Sequence, residues 1–314
     1  MNGIFRYKNN QPVNWYHRSL DKSNQYCLYC GALVGNGSNI ESNKEHLIGR
    51  EFVPAGEFGS GNSFNFIFRA CKQCNDEKAN IERHLSSIAL FSSPARGMSE
   101  LHNLIAERKA GKDFHPDKKG VLVRDSGDTF NISSGGSGFN MSVEMVGPPQ
   151  PNPTFVTILA FRHIQGIFSL ITSQNPLVAE KTNLLIPKYF HFYGMYNYRD
   201  WGNAHLTTVM GRAKEIPCYA NIETANGFFK VIMRRSREPR GEWFWALEWN
   251  KNFRLVGAIT NPATVPAIFR DLPPLTYHNL GVQEGAKTRM REDVPLIGEE
   301  DILFRADIEM PESA

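Results

Sequence analysis

Two CxxC pairs, Cys27-Leu-Tyr-Cys30 and Cys71-Lys-Gln-Cys74, stand 40 residues apart and constrain this chain more than any other feature. Two such knuckles deliver four thiolates to the corners of a tetrahedron, which suits Zn²⁺ and closes its coordination shell. A closed shell has no open position for substrate, so the expected zinc is structural. It would staple a small segment whose own core is too thin to hold it. The alternative is four buried thiols brought near one another by chance. Cys218 has no partner in the pattern and reads as a buried thiol.

The residues between and after the knuckles choose among zinc folds. Asn43-Lys-Glu-His46 follows the first knuckle, Asn65 sits in the aromatic run SFNFIF, and Asn75-Asp-Glu-Lys78 follows the last cysteine directly. A plain zinc ribbon has no need of this set. From about Cys27 to Leu85, through CLYCG, KEHLIGREFVP and NFIFRACKQCNDEKANIE, the chain resembles the HNH endonuclease family, in the subgroup whose ββα-metal motif is braced by four cysteines. The resemblance implies a metal-dependent nuclease. It makes Glu45-His46 the acidic residue and histidine of the first strand, Asn65 the middle asparagine, and Asn75 the third position; Glu45 stands where Asp is also common.

Phosphodiester hydrolysis gives these residues roles. His46 is the candidate general base, because a neutral imidazole takes a proton from water at physiological pH. The resemblance gives Asn65 the task of fixing that histidine by hydrogen bonding. Glu45 and Asn75 offer oxygen to a single divalent ion, Mg²⁺ or Mn²⁺, beside the scissile phosphate. Asn75 also reads as the N-cap of a helix over NDEKANIERHLSSIAL, Asn65 as a turn or strand-edge residue, and His46 as a surface histidine. Asn62 is a rival to Asn65. Arg50, Lys78 and Arg83 are the basic residues placed to meet the nucleic-acid backbone, each with a solvated-face alternative. His84, about two and a half turns beyond Asn75 on the same helix, is too distant to share its ion and reads as packing.

Composition limits rather than decides. Apolar residues at 41% and charged residues at 21% fit a globular chain and exclude a disordered one. Net charge is +3, with Lys+Arg ahead of Asp+Glu by 14 to 11 in residues 1–115 and level at 21 to 21 in the rest. That excess is compatible with a nucleic-acid partner, DNA being expected, without arguing for one. The start, MNGIFRYKNNQPVNWYHRSL, lacks a signal peptide's apolar centre. A cytoplasmic location, reduced thiols and no membrane partner are therefore expected.

Three stretches are expected. Residues 1–112 form the small zinc-stapled ββα-metal domain, closing with a helix over about Met98–Ala110. Residues 113–153, with SSGGSG and PPQPNP, form a hairpin between loops. Residues 154–314 form a larger α+β domain of unknown type, for substrate or partner recognition. In it TFVTILAFRHIQGIFSLITS reads as a buried helix, too short and too polar to span a bilayer, with His163 a core histidine. CYANIETANGFFKVIMRRS and EWFWALEWNKNFRLVGAIT read as strand pairs, the first turning at Asn226-Gly227. The aromatic stretch 186–205 is either packed core or a base-stacking surface. The fold class is α+β. Three functions stay open: an HNH endonuclease in a bacterial defence or restriction setting, a zinc-stapled nucleic-acid binder that does not cut, and a nuclease gated by a C-terminal sensor. A homodimer or a partner protein on the C-terminal domain is also open. One site per chain predicts nicking by the monomer.

Overall fold

A computed structural model describes residues 5–8, 24–35, 37–59, 64–136, 139–172, 184–237, 241–283, 286–296 and 298–306. Asn62, most of the N-terminal twenty residues and Ser173 lie outside the described residues.

The N-terminal part is a strand–strand–helix unit. After the short β1 (Phe5–Lys8), β2 (Ser42–His46) and β3 (Ile67–Cys71) pair antiparallel, and α1 (Lys72–Phe91) starts at once. A short helix, α2 (Glu100–Ala110), folds back on α1. Ser99 caps α2 by accepting from the His102 N–H, while Arg108 and Lys109 lie in its last turn, where positive charge suits the dipole. The expected hairpin is β4 (Thr129–Gly136) with β5 (Phe139–Val146).

The larger mixed region follows: α3 (Pro153–Thr172), β6 (Phe190–Asn197), α4 (Ala204–Ala213), β7 (Cys218–Thr224), β8 (Phe229–Arg235), β9 (Trp243–Trp249), β10 (Phe253–Ile259) and a terminal hairpin of β11 (His278–Gln283) and β12 (Ala286–Met290). Both anticipated strand pairs form. Asn226 takes φ 50° at the first turn, and Asn250 and Lys251 both take φ 53° at the second, the left-handed geometry of tight hairpins. Together with β1 and β6 they build a six-stranded sheet, ordered β1-β7-β8-β9-β10-β6, antiparallel except where β1 runs parallel to β7.

Every residue of β9 and β10 is buried because the sheet is covered on both faces. Val231, Met233, Trp245 and Leu247 face the side occupied by α3; Ile232, Phe244, Ala246 and Val256 face α4. The first of these cores is continuous with the N-terminal unit, since it also contains Leu47, Phe52, Phe66, Phe68, Ile81 and Ile88. The small subdomain and the larger region therefore share one apolar interior.

One sequence expectation is corrected here. By length and composition α3 is apolar enough to cross a bilayer, contrary to the reading that it was too short and too polar. It sits instead in the shared core, with Leu159, Ala160, Ile164 and Ile167 fully buried and His163 wholly inaccessible.

Candidate functional site

The four sulfurs converge. Cys27, Cys30, Cys71 and Cys74 place their Sγ atoms within 4.8 Å of one another, and Cys30 and Cys71 are 3.7 Å apart. A zinc ion with bonds of about 2.3 Å has tetrahedral edges of about 3.8 Å, so the donor set and its spacing fit Zn²⁺. A hydrogen bond from Cys74 holds the Cys27 thiol below the ordinary thiol range. The loop carrying the first knuckle is clamped from outside the unit: Arg162 Nη1 and Gln165 Nε2 on α3 donate to the Tyr29 carbonyl at 3.0 and 3.2 Å. Cys218 is buried away from the cluster on β7.

The second knuckle runs straight into α1, and this fixes Asn75. The helix begins at Lys72 with Cys71 at its N-cap position, so Asn75 lies inside the first turn and does not cap it. Its Nδ2 donates to Asn43 Oδ1 at 2.5 Å, joining helix to strand.

Strand alternation decides where the β2 side chains go. Asn43 and Glu45 point toward α1, Asn43 to Asn75 and Glu45 to Lys78 one turn on. Glu45 Oε1 lies 2.8 Å from Lys78 Nζ and accepts from Tyr29 Oη at 3.0 Å, while Lys78 also meets Glu82 Oε1 at 2.8 Å. All these side chains are buried. Burial lifts Glu45 above the usual carboxylate range; in Glu82 burial acts the same way, but Lys78 and His163 together outweigh it and hold the group below that range. Glu45 Oε1 is thus taken up by Lys78 and Tyr29, whereas Asn75 Nδ2 is turned to Asn43. Lys78 does not reach outward to a nucleic-acid backbone. Its ammonium is enclosed and donates to the His46 carbonyl at 3.1 Å.

His46 follows Glu45 on the strand and is half-buried. Neither ring nitrogen has a partner among the described residues, and Nε2 is enclosed. Burial first, then the charges of Arg50, Lys44 and Lys78, lower its pKa to about 4, so the ring is neutral at pH 7. Asn65 supports it indirectly. Its Oδ1 accepts from the Ile48 N–H at 3.1 Å and its Nδ2 donates to the Ile48 carbonyl at 2.6 Å, so it pins the backbone just past His46 and not the ring. Glu82 holds the same loop by accepting from the Gly49 N–H at 2.9 Å.

Sequence reasoning missed how the larger region supports this loop. His163 Nε2 stands 3.4 Å from Glu82 Oε1, and a Cβ on Gly166 would fall 2.4 Å from Leu47 Cδ1. The only hint in the sequence was the polar interruption at 162–165 in an apolar helix. His84, read as packing, is buried with Nδ1 3.1 Å from Asp113 Oδ2.

Arg50 and Arg83 are exposed and line one groove of about 570 Å³ together with Arg108, Lys109 and Lys112. In comparisons with family models, curated proteins and solved structures, nothing matches the chain.

Proposed function

We propose that the protein is a nuclease of the HNH, ββα-metal type that hydrolyses phosphodiester bonds in nucleic acid, with DNA as the substrate. The observation that carries this reading is His46: a neutral imidazole with neither nitrogen engaged among the described residues, at the end of a strand in a zinc-fitting strand–strand–helix unit, four residues before Arg50 of a groove lined with cations. In this reading His46 takes the proton from the attacking water. Asn65 and Glu82 keep the loop 47–50 in place, so that the ring keeps one position relative to a phosphate held by Arg50 and Arg83. A divalent ion, Mg²⁺ or Mn²⁺, would supply charge stabilisation at the leaving oxygen. The geometry fits that ion only in part: Asn75 offers a carboxamide oxygen, but Glu45 is held by Lys78 and Tyr29. Glu45 acts in this account from behind, by fixing Lys78 under the His46 carbonyl.

That commitment of Glu45 favours one competing reading, a zinc-stapled binder that does not cut. The test is cleavage of supercoiled plasmid by the full chain with Mg²⁺, with Mn²⁺ and with neither. Ion-dependent nicking supports the nuclease; binding without cleavage under every condition supports the binder.

A further inference from the structure

The groove that contains Arg50 is built from two segments far apart in sequence, 50–55 and 105–114, together with Arg83 and Ser87 of α1. Five cations and two carboxylates line it, but they are not equally available. Asp113 is engaged by His84 at 3.1 Å and faces Arg83 at 3.9 Å. Lys109 turns its ammonium inward, onto Ser86 Oγ at 2.6 Å and the Glu51 carbonyl. Arg50, Arg108 and Lys112 have no side-chain partner among the described residues, so their donors are free for an anion.

Phe114, which lines the same groove, exposes 59% of its surface. Its backbone is fixed by the bridge to Leu122 and by the Val123 N–H bond to the Asp113 carbonyl at 2.8 Å, so the ring is presented from a firm base. Free cations and an exposed aromatic ring lining one groove match the chemistry of an unpaired strand, whose phosphates need positive charge and whose bases stack on aromatic rings. A duplex keeps its bases stacked on each other and leaves such a ring unused. Arg50 links the groove to the candidate base along the chain, four residues past His46.

We infer that this groove holds one single strand of nucleic acid, with phosphates on Arg50, Arg108 and Lys112 and a base on the Phe114 ring. The inference rests on the nuclease reading and specifies the form of its substrate.

The test measures binding by fluorescence anisotropy, using the full-length chain carrying His46→Ala, its zinc content confirmed, so that no probe is cut. The probes are a labelled oligodeoxythymidine of about 20 nucleotides, long enough to fill such a groove, and a labelled hairpin duplex. Adding Arg108→Gln with Lys112→Gln is expected to weaken single-strand binding about tenfold and to flatten its salt dependence by about 1.4 in log–log slope, two phosphate contacts at about 0.7 each. Phe114→Ala is expected to weaken single-strand binding about tenfold, leaving the salt slope and the duplex affinity unchanged. Lys214→Gln, outside the groove, is the control. Groove variants that bind like this control overturn the inference and leave the nuclease reading standing. Equal affinity for strand and duplex, insensitive to Phe114→Ala, overturns the single-strand assignment. No binding of either probe by the parent chain at low salt defeats the nuclease reading, and the groove with it.

Discussion

Lys78 Nζ lies 2.8 Å from Glu45 Oε1 and the same distance from Glu82 Oε1, with all three side chains nearly inaccessible to water. One ammonium between two carboxylates, donating as well to the His46 carbonyl, ties α1 to the strand that carries the candidate base. Removing the ammonium would leave two buried carboxylates without their counter-charge. Lys78→Met is therefore expected to destabilise the chain by about 3–5 kcal/mol, the usual cost of breaking a buried ion pair from one side. Urea denaturation checks this. A variant of unchanged stability with weakened nucleic-acid binding would restore the surface role that the sequence suggested for Lys78.

The four-cysteine cluster predicts one zinc per chain by elemental analysis. Cys71→Ser should lose it, and Cys218→Ser, altering a thiol outside the cluster, should retain it. Since the knuckle at Cys27–Cys30 is clamped by Arg162 and Gln165, loss of zinc should lower the thermal midpoint of the whole chain in one transition. A chelator that removes the metal without shifting the midpoint would contradict a structural role.

Asn65 gives a third prediction. Asn65→Ala strips both hydrogen bonds from the enclosed Ile48 backbone, at about 1–3 kcal/mol per unsatisfied group. Stability should fall, and nicking should fall further than stability accounts for, because the loop after His46 is released. Nicking equal to the parent's at full zinc occupancy would remove Asn65 from the site.

The buried His163 predicts a pH dependence. Burial is the main cause that lowers its pKa to about 4 from an ordinary 6.5, with Lys78 adding to it and Glu82 opposing. The unfolded chain thus takes up a proton at this position that the folded chain refuses. Stability falls as pH drops from 6.5 toward 4, by about 3 kcal/mol at most from this residue. Glu45, lifted by burial, works in the opposite sense over part of that window, and His46 in the same sense. The comparison is therefore parent against His163→Gln: the variant's stability should fall less steeply over that range. Parallel curves would show that His163 does not titrate as described.

Because Leu47, Phe52, Ile88, Ile164, Trp245 and Trp249 belong to one core, residues 1–112 expressed alone should expose the apolar surface now covered by α3 and the sheet. Insoluble or molten product is expected. A soluble, cooperatively melting fragment would show an autonomous domain.

Local chemistry was what the sequence made legible. The four cysteines, the core helix at 153–172 and the two hairpins at Asn226 and Asn250–Lys251 each follow from spacing, periodicity or turn residues within a short window. Sidedness was not legible. The order Glu45-His46 does not say which of the two faces α1, and only the strand's register placed Glu45 on Lys78. Asn75 looked like a helix cap because the sequence does not reveal that the second knuckle is already helical. The β1–β7 pairing spans more than 200 residues, and the groove joins segments that only tertiary packing brings together.

The most direct test of the central claim compares nicking of supercoiled plasmid, and in parallel cutting of circular single-stranded DNA, with Mg²⁺ or Mn²⁺ present, by the full chain and by His46→Ala, each with its zinc confirmed. The account predicts ion-dependent cutting, of the plasmid to the nicked circle or of the single-stranded circle to the linear strand, lost in the variant by about 100-fold or more as expected for removal of a general base. Equal cutting by both proteins, or clean linearisation of the plasmid with no nicked intermediate, would contradict it.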